Sequence, residues 1–353
     1  AGVDAVTIYG ALVSEVWKQG SQWHVRWNSL GEKENVSTFD AVVVASGHYH
    51  APRIPDIPGL AAAKSKYPAR ITHSKYFRNA AGYKDKNVLL IGGGVSSTDI
   101  SKDISSSARA IYQSTRNGLS DMSASVLPKN ATRVAEVVAI GIESQLESTT
   151  DGLPFSADLK SGSTISGIDK IIICTGYQFT FPFLPQFNDD RVAPAAAGDG
   201  VLITDGGQVH NLHQDIFYMA DPTLTFVGIP LFTTIFTLFE FQAVAVAAFY
   251  LGIVQLPPRA AMRREYQDRV RSKGLGRYLH SLKEEEESYV SRLVNWVNEG
   301  RARHGLELLE GHTATWKMEK QMIREAILKL RTARDVERAA VAVNRGHQLE
   351  HVP

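Results

Sequence analysis

Cysteine is almost missing from this chain: Cys174 is the only one in 353 residues. No intrachain disulfide can form, and a zinc site built from several thiolates is excluded. Such usage suits a reducing compartment, and a cytoplasmic location is expected. An excess of one charge sign is missing too. The formal net charge is +1, and no strongly basic domain marks nucleic acid as a partner. The 11 histidines have no spacing with carboxylates that suits a metal, so no metal site is expected. No G-x-S-x-G elbow is present, which argues against nucleophilic hydrolysis. No repeat of solenoid period appears. No basic stretch followed by an apolar run opens the chain, so nothing marks a secretory signal. The opening Ala1-Gly2-Val3-Asp4-Ala5 reads as mid-domain sequence, and the expectation is a fragment or a truncated gene product.

What is present is an ordinary globular composition, 44% apolar and 21% charged, in a chain long enough for two domains. Its most informative stretch is Lys86-Asn87-Val88-Leu89-Leu90-Ile91-Gly92-Gly93-Gly94-Val95-Ser96-Ser97-Thr98-Asp99-Ile100. It predicts a buried strand, a glycine-rich turn and then a helix, the arrangement that holds a dinucleotide pyrophosphate. Gly92 allows the tight turn and Gly94 lets the backbone approach phosphate. The helix start offers unpaired N–H groups and the positive end of its dipole. Ser97 stands where the third glycine of G-x-G-x-x-G belongs. That position needs a small side chain, so restoring glycine is expected to preserve or improve nucleotide binding. About twenty residues on, the strand Ala108 to Thr115 ends at Arg116, with no Asp or Glu for a ribose 2′-OH. A guanidinium there pairs with a 2′-phosphate, which favours NADP over NAD. The alternative is a solvated loop arginine.

Elsewhere the pattern predicts an antiparallel meander over 11–44 that feeds one fully buried strand. Trp23 and Trp27 fall on one strand face, as packing residues. A proline-punctuated loop over 51–68 suggests a domain crossing. Strands are expected at 134–142, 168–174 and 224–228. The apolar run 231–254 is long enough to raise a membrane span. Glu240 and Gln242 near its middle favour a buried core helix instead. Glu284 to Glu287 predict a solvated helix face, and 317–340 an amphipathic helix.

Two buried strands end alike, Val42-Val43-Val44-Ala45-Ser46-Gly47-His48-Tyr49 and Ile171-Ile172-Ile173-Cys174-Thr175-Gly176-Tyr177. Such a pair flanking one dinucleotide domain is the hinge pattern of a two-dinucleotide flavoprotein. With these residues the sequence resembles the flavin-containing monooxygenases, in a fungal or bacterial-like branch. The family signature F-x-G-x-x-x-H-x-x-x-(Y/F) falls on Tyr67, Ala69, His73 and Phe77, departing at the first two. The family's turn G-x-G-x-S-(G/A)-x-D falls on Gly92, Gly94, Ser96, Ser97 and Asp99, departing at Ser97. Cys174-Thr175-Gly176-Tyr177 resembles A-T-G-Y. Pro222 to Pro230 and then Phe239-Glu240-Phe241-Gln242 resemble the segment beneath the flavin. The likeness runs over about 5–258.

The resemblance implies an α/β fold with two Rossmann-like, FAD- and NAD(P)-binding domains, the first discontinuous and here incomplete. Residues 1–58 would belong to the FAD domain, 59–180 to the NADP domain, and 181–353 to the FAD domain and C-terminal helices. The family's first G-x-G-x-x-G and its active-site Asn belong to a segment expected more than about a hundred residues before His73. The implied activity is NADPH- and O₂-dependent oxygenation of a nitrogen- or sulfur-containing small molecule through a C4a-hydroperoxyflavin. Gly92, Gly94, Ser96, Ser97, Thr98 and Asp99 would hold NADP, Arg116 its 2′-phosphate, and Gln242 would lie against FAD. His73 would shape the crossing between domains. His48 and His50 are either loop residues or lining of the cofactor site. Two alternatives stand beside this reading: a Baeyer–Villiger relative, and an inactive remnant that binds NADP alone.

Overall fold

In the computed structural model, which describes residues 2–29, 31, 33–118, 121–143, 154–323 and 325, the chain forms two units. One comprises Ala1–Ala51 and Gln178–Met318, the other Pro52–Tyr177. The first division falls between Ala51 and Pro52. The reason is local packing: Ile57 joins the cluster around Leu60 and Ile140, and the Ile140 N–H donates to Pro58 O at 2.8 Å.

The unit Pro52–Tyr177 is built on five parallel strands. Their order is Ile71–His73, Lys170–Ile173, Asn87–Ile91, Ala110–Ser114, Ala131–Val134. The continuous apolar runs reflect burial on both faces. Leu89, Ile91, Ile171 and Ile173 enter one cluster, while Val88, Leu90 and Ile172 enter the other with Ile100 and Ile104 of the helix Val95–Ile104. A three-stranded antiparallel sheet, Val137–Ile142, Phe155–Leu159 and Thr164–Ile168, supplies Val137, Ile140 and Phe155 to the first cluster. The strand expected at 134–142 is therefore broken, its two parts belonging to different sheets. Ser114 Oγ bridges the corner, donating to Ala135 O and accepting from Val137 N–H, both at 3.0 Å.

In the other unit, Ala11–Gln19, Gln22–Ser29 and Asn35–Phe39 form the meander. Trp23 is 1% exposed and donates to Thr223 Oγ1 at 2.8 Å, and Trp27 donates to Ser37 Oγ at 3.2 Å. Both are packing residues. Val42–Val44 pairs in parallel with Leu224–Phe226 at the edge of a four-stranded sheet that also holds Leu212–His213 and Phe217–Tyr218. It is not fully buried: Val43 is 46% exposed, because successive side chains alternate and one face of this edge strand is uncovered among the described residues.

The helix Ile235–Tyr250 buries Leu238, Ala245 and Val246 against Tyr289, Val290 and Leu293 of the helix Glu286–Arg303. It is a core helix, and no described helix is long and apolar enough to cross a membrane. Of the four consecutive glutamates, Glu286 departs from the solvated face. It is 2% exposed because its Oε1 accepts the Thr234 N–H at 2.9 Å, at the start of Ile235–Tyr250. Residues 314–323 are helical. The rest of the helix expected to 340 lies almost wholly outside the described residues.

Candidate cofactor site

Asn87–Ile91 sits between two parallel neighbours, which aims its C-terminal end at the turn Gly92–Gly94. Gly92 has φ +125°, and a Cβ there would stand 2.5 Å from the Cys174 carbonyl oxygen. Only glycine fits so close to the end of the neighbouring strand. The Gly92 N–H donates to Ser114 O at 2.9 Å, and the Cys174 N–H to Ile91 O at 2.8 Å. Gly94 caps the helix Val95–Ile104. Its carbonyl accepts from Ser97 Oγ at 2.9 Å and from Thr98 Oγ1 at 3.1 Å. With no side chain on the cap residue, the first-turn N–H groups remain open to an anion.

Ser97 does more than fill space. It is fully buried, and its Oγ accepts from Gln113 Nε2 at 2.8 Å. Gln113 Oε1 in turn accepts from Arg133, at 3.0 Å from Nε and 2.5 Å from Nη2. Thr98 is buried beside it, while Ser96 and Asp99 lie on the exposed face. Arg116 stands past the end of Ala110–Ser114 with its side chain 75% exposed. Its Nε is 3.9 Å from Glu136 Oε1, and Lys160 shares that carboxylate at 3.3 Å. A solvent-exposed pair of this kind holds the guanidinium loosely.

Three residues escaped the sequence reading. Asp121 lies against the turn: a Cβ on Gly93 would stand 2.6 Å from its carboxyl carbon. Its carboxylate accepts from the Thr115 hydroxyl and from the Gly118 N–H, which holds the loop after Arg116 in place. Gln113 and Arg133 are the others. A glutamine inside a buried strand was the one available signal.

His73 is a structural residue. Its Nδ1 accepts from the Lys75 N–H at 3.1 Å, so Nε2 carries the proton and donates to Gly176 O at 3.0 Å. Burial keeps its pKa below the usual histidine value. Cys174 is buried, and burial pushes its thiol far above the ordinary range, so it is no nucleophile.

Gln242 lies in the other unit and is fully buried. Its Oε1 accepts the Gly228 N–H at 2.9 Å, and its Nε2 donates to Tyr289 Oη at 2.8 Å. Tyr289 passes its own proton to Gln214 O at 2.6 Å. On the other side of Gly228, its carbonyl accepts from His48 Nδ1–H at 2.9 Å. The His48 Nε2 is buried and has no hydrogen-bond partner among the described residues. Burial lowers the His48 pKa, with the charges of Arg277 and His280 adding to it against the Gly228 bond. The ring is therefore neutral with an open lone pair on Nε2. Among the described residues no cluster of three or more His, Cys, Asp or Glu could hold a metal.

Known proteins resemble this chain over most of its length. The family model described as flavin-binding monooxygenase-like matches residues 12–130 and 127–306. The chain is 46% identical over 336 residues to flavin-containing monooxygenase ustF2 of Aspergillus flavus, covering 92% of this chain and 68% of that protein. It is 35% identical to flavin-containing monooxygenase iboF of Amanita muscaria, covering 77% of this chain and 52% of that one. The solved structure of S-allyl-L-cysteine S-oxygenase from Allium sativum superposes with a TM-score of 0.64 at 28% identity, over 85% of this chain and 62% of the other. The chain thus spans between about half and two thirds of the length of these proteins. It belongs to the flavin-containing monooxygenase family.

Proposed function

We propose that this protein works in NADPH- and O₂-dependent oxygenation of a nitrogen- or sulfur-containing small molecule. The observation that carries the reading is the Gly92 cradle, closed onto the Cys174 carbonyl and opening on an uncapped helix start. The first-turn N–H groups and Ser96 would hold the NADP pyrophosphate, with Gly94, Ser97 and Thr98 shaping the turn. Asp99 would face the ribose, and Arg116 would leave Glu136 for the 2′-phosphate. For a flavin, the fitting feature is the open Nε2 acceptor of His48 beside the Gly228 backbone. It suits an N–H on the ring edge. Gln242 would position Gly228 there. A bound flavin supplies the oxygen chemistry, while these residues bind, orient and exclude water. The likeness to an S-oxygenase supports a sulfur substrate.

The test is an absorption spectrum of the purified chain after incubation with FAD and desalting, followed by NADPH oxidation with and without a small thioether. Retained flavin bands and thioether-dependent NADPH consumption are expected. A colourless protein that still binds NADPH overturns the monooxygenase reading for this chain and leaves a nucleotide-binding remnant.

A further inference from the structure

Read along the sequence, the tip of Ala110–Ser114 has no acid, yet the fold brings one there from further along the chain. Past Thr115 the backbone reverses at Asn117, which has φ +56° and whose N–H donates to Thr115 Oγ1 at 2.9 Å. The Met122 N–H then donates to Gly93 O at 2.8 Å, which ties the returning segment to the middle of the glycine turn. Asp121 is thereby set between the turn Gly92–Gly94 and the strand tip. On the side of the turn, its carboxyl carbon would stand 2.6 Å from a Cβ on Gly93. On the side of the tip, Oδ2 accepts from the Thr115 hydroxyl, and also from the Gly118 N–H at 2.9 Å. Oδ1 has no hydrogen-bond partner among the described residues, so one side of the carboxylate remains open.

A dinucleotide held at such a turn brings its adenine ribose to the tip of the second strand. There a carboxylate receives a free 2′-hydroxyl, and an arginine accommodates a 2′-phosphate. This tip offers both groups. Given a dinucleotide at the Gly92 turn, the reading on which this inference rests, we propose that Asp121 is a specificity-determining residue that accepts the ribose 2′-hydroxyl. The site then takes NADH as well as NADPH. Oδ1 is the atom that receives the hydroxyl, because Oδ2 already has two donors. A hydroxyl donating to an ionised carboxylate makes a charge-assisted bond. A 2′-phosphate meets the same carboxylate as a like charge and is opposed. Asp121 therefore strengthens NADH and weakens NADPH, while Arg116 acts the other way from an exposed and loosely held side chain.

Isothermal titration of the full chain with NADH and with NADPH, in the absence of FAD, tests this. The wild-type chain should bind the two nucleotides within about tenfold of each other. A wider preference for NADPH overturns the proposal without recourse to any variant. Asp121→Asn keeps an oxygen for Thr115 and Gly118 but removes the charge. It should weaken NADH about fivefold and strengthen NADPH by a similar factor. The opposite signs are the signature, because a residue that only holds the loop in place would weaken both nucleotides together. Losses of the same sign, or no change in either affinity, overturn the role of Asp121 and leave the dinucleotide site standing. A wild-type chain that binds neither nucleotide at millimolar concentration overturns the dinucleotide reading of the turn, and the proposal with it.

Discussion

Ser97 illustrates how a single side chain can be more than a tolerated departure from a motif. It is part of a buried line, Arg133 to Gln113 to Ser97 to the Gly94 carbonyl, directly beneath the turn. The expectation that glycine here preserves or improves the turn therefore reverses. Ser97→Gly takes from the Gln113 amide its shorter acceptor, leaving it Thr98 Oγ1 at 3.5 Å, and loosens the first helical turn, at about 1–3 kcal/mol. Urea unfolding should show a lower midpoint for Ser97→Gly than for Ser97→Ala, with both below wild type. NADP affinity should fall with them, and an unchanged midpoint would refute the role of this hydrogen bond. Arg116 makes a second residue-scale prediction. Among the described residues its one ion pair is a loose one to Glu136, so removing it costs the fold little. Arg116→Ala should weaken NADPH binding about tenfold and leave NADH binding unchanged, because only NADPH carries the 2′-phosphate. Calorimetric titration with the two nucleotides separates these outcomes, and equal losses would return Arg116 to the status of a loop arginine.

At the scale of elements, periodicity exposed what depends on near neighbours and missed what depends on distant ones. The strand–turn–helix from Asn87 to Ile104 was readable because apolar run, glycines and helix start are contiguous. Ile235–Tyr250 was readable as a core helix for the same reason. The corner at Ala135 was not, since it depends on Ser114, a residue 21 positions away in sequence. Nor was the fate of the acidic run, where Glu286 turns inward to a backbone group 52 positions earlier. A run of like charge looks uniformly solvated until one member finds a buried donor. Glu286 acts as the side-chain acceptor at the start of Ile235–Tyr250, adjoining its positive dipole end. Glu286→Ala should therefore cost about 1–2 kcal/mol in urea unfolding, the range of a lost helix cap. Glu284→Ala and Glu287→Ala, on the exposed face, should stay within about 0.5 kcal/mol. Similar effects for all three would show that Glu286 is held by general charge alone.

At the scale of the whole molecule, the two glycine-ended strands stand just before the two points, after Ala51 and after Tyr177, where the chain passes from one unit to the other. What no pattern disclosed is how many ionisable groups folding removes from water in fixed charge states. His48, His73 and His210 are all buried with pKa values below normal, His210 down to about 4, burial being the leading cause in each. His210 is held by Thr204 Oγ1 at 2.9 Å on Nε2 and by Gln208 Nε2 at 3.1 Å on Nδ1. The Gln208 donor leaves Nδ1 no room for a proton. In the unfolded chain these rings take protons near pH 6.5, but in the folded one they resist until lower pH. The unfolded state thus binds more protons in that window, and acidification favours it. Asp215 acts in the same direction lower down. Burial opposes its charge, yet Arg269 at 2.7 Å and His280 at 3.0 Å hold its pKa well below the carboxylate range. Its contribution is complete above about pH 4 and is lost as pH falls further. The melting temperature should therefore be nearly level above about pH 7 and fall continuously from about pH 6.5 to 4. His210→Gln should flatten that slope, since an amide has no proton to gain. A melting temperature that rises on acidification, or a slope the substitution leaves unchanged, would mean that these buried rings do not govern the acid response.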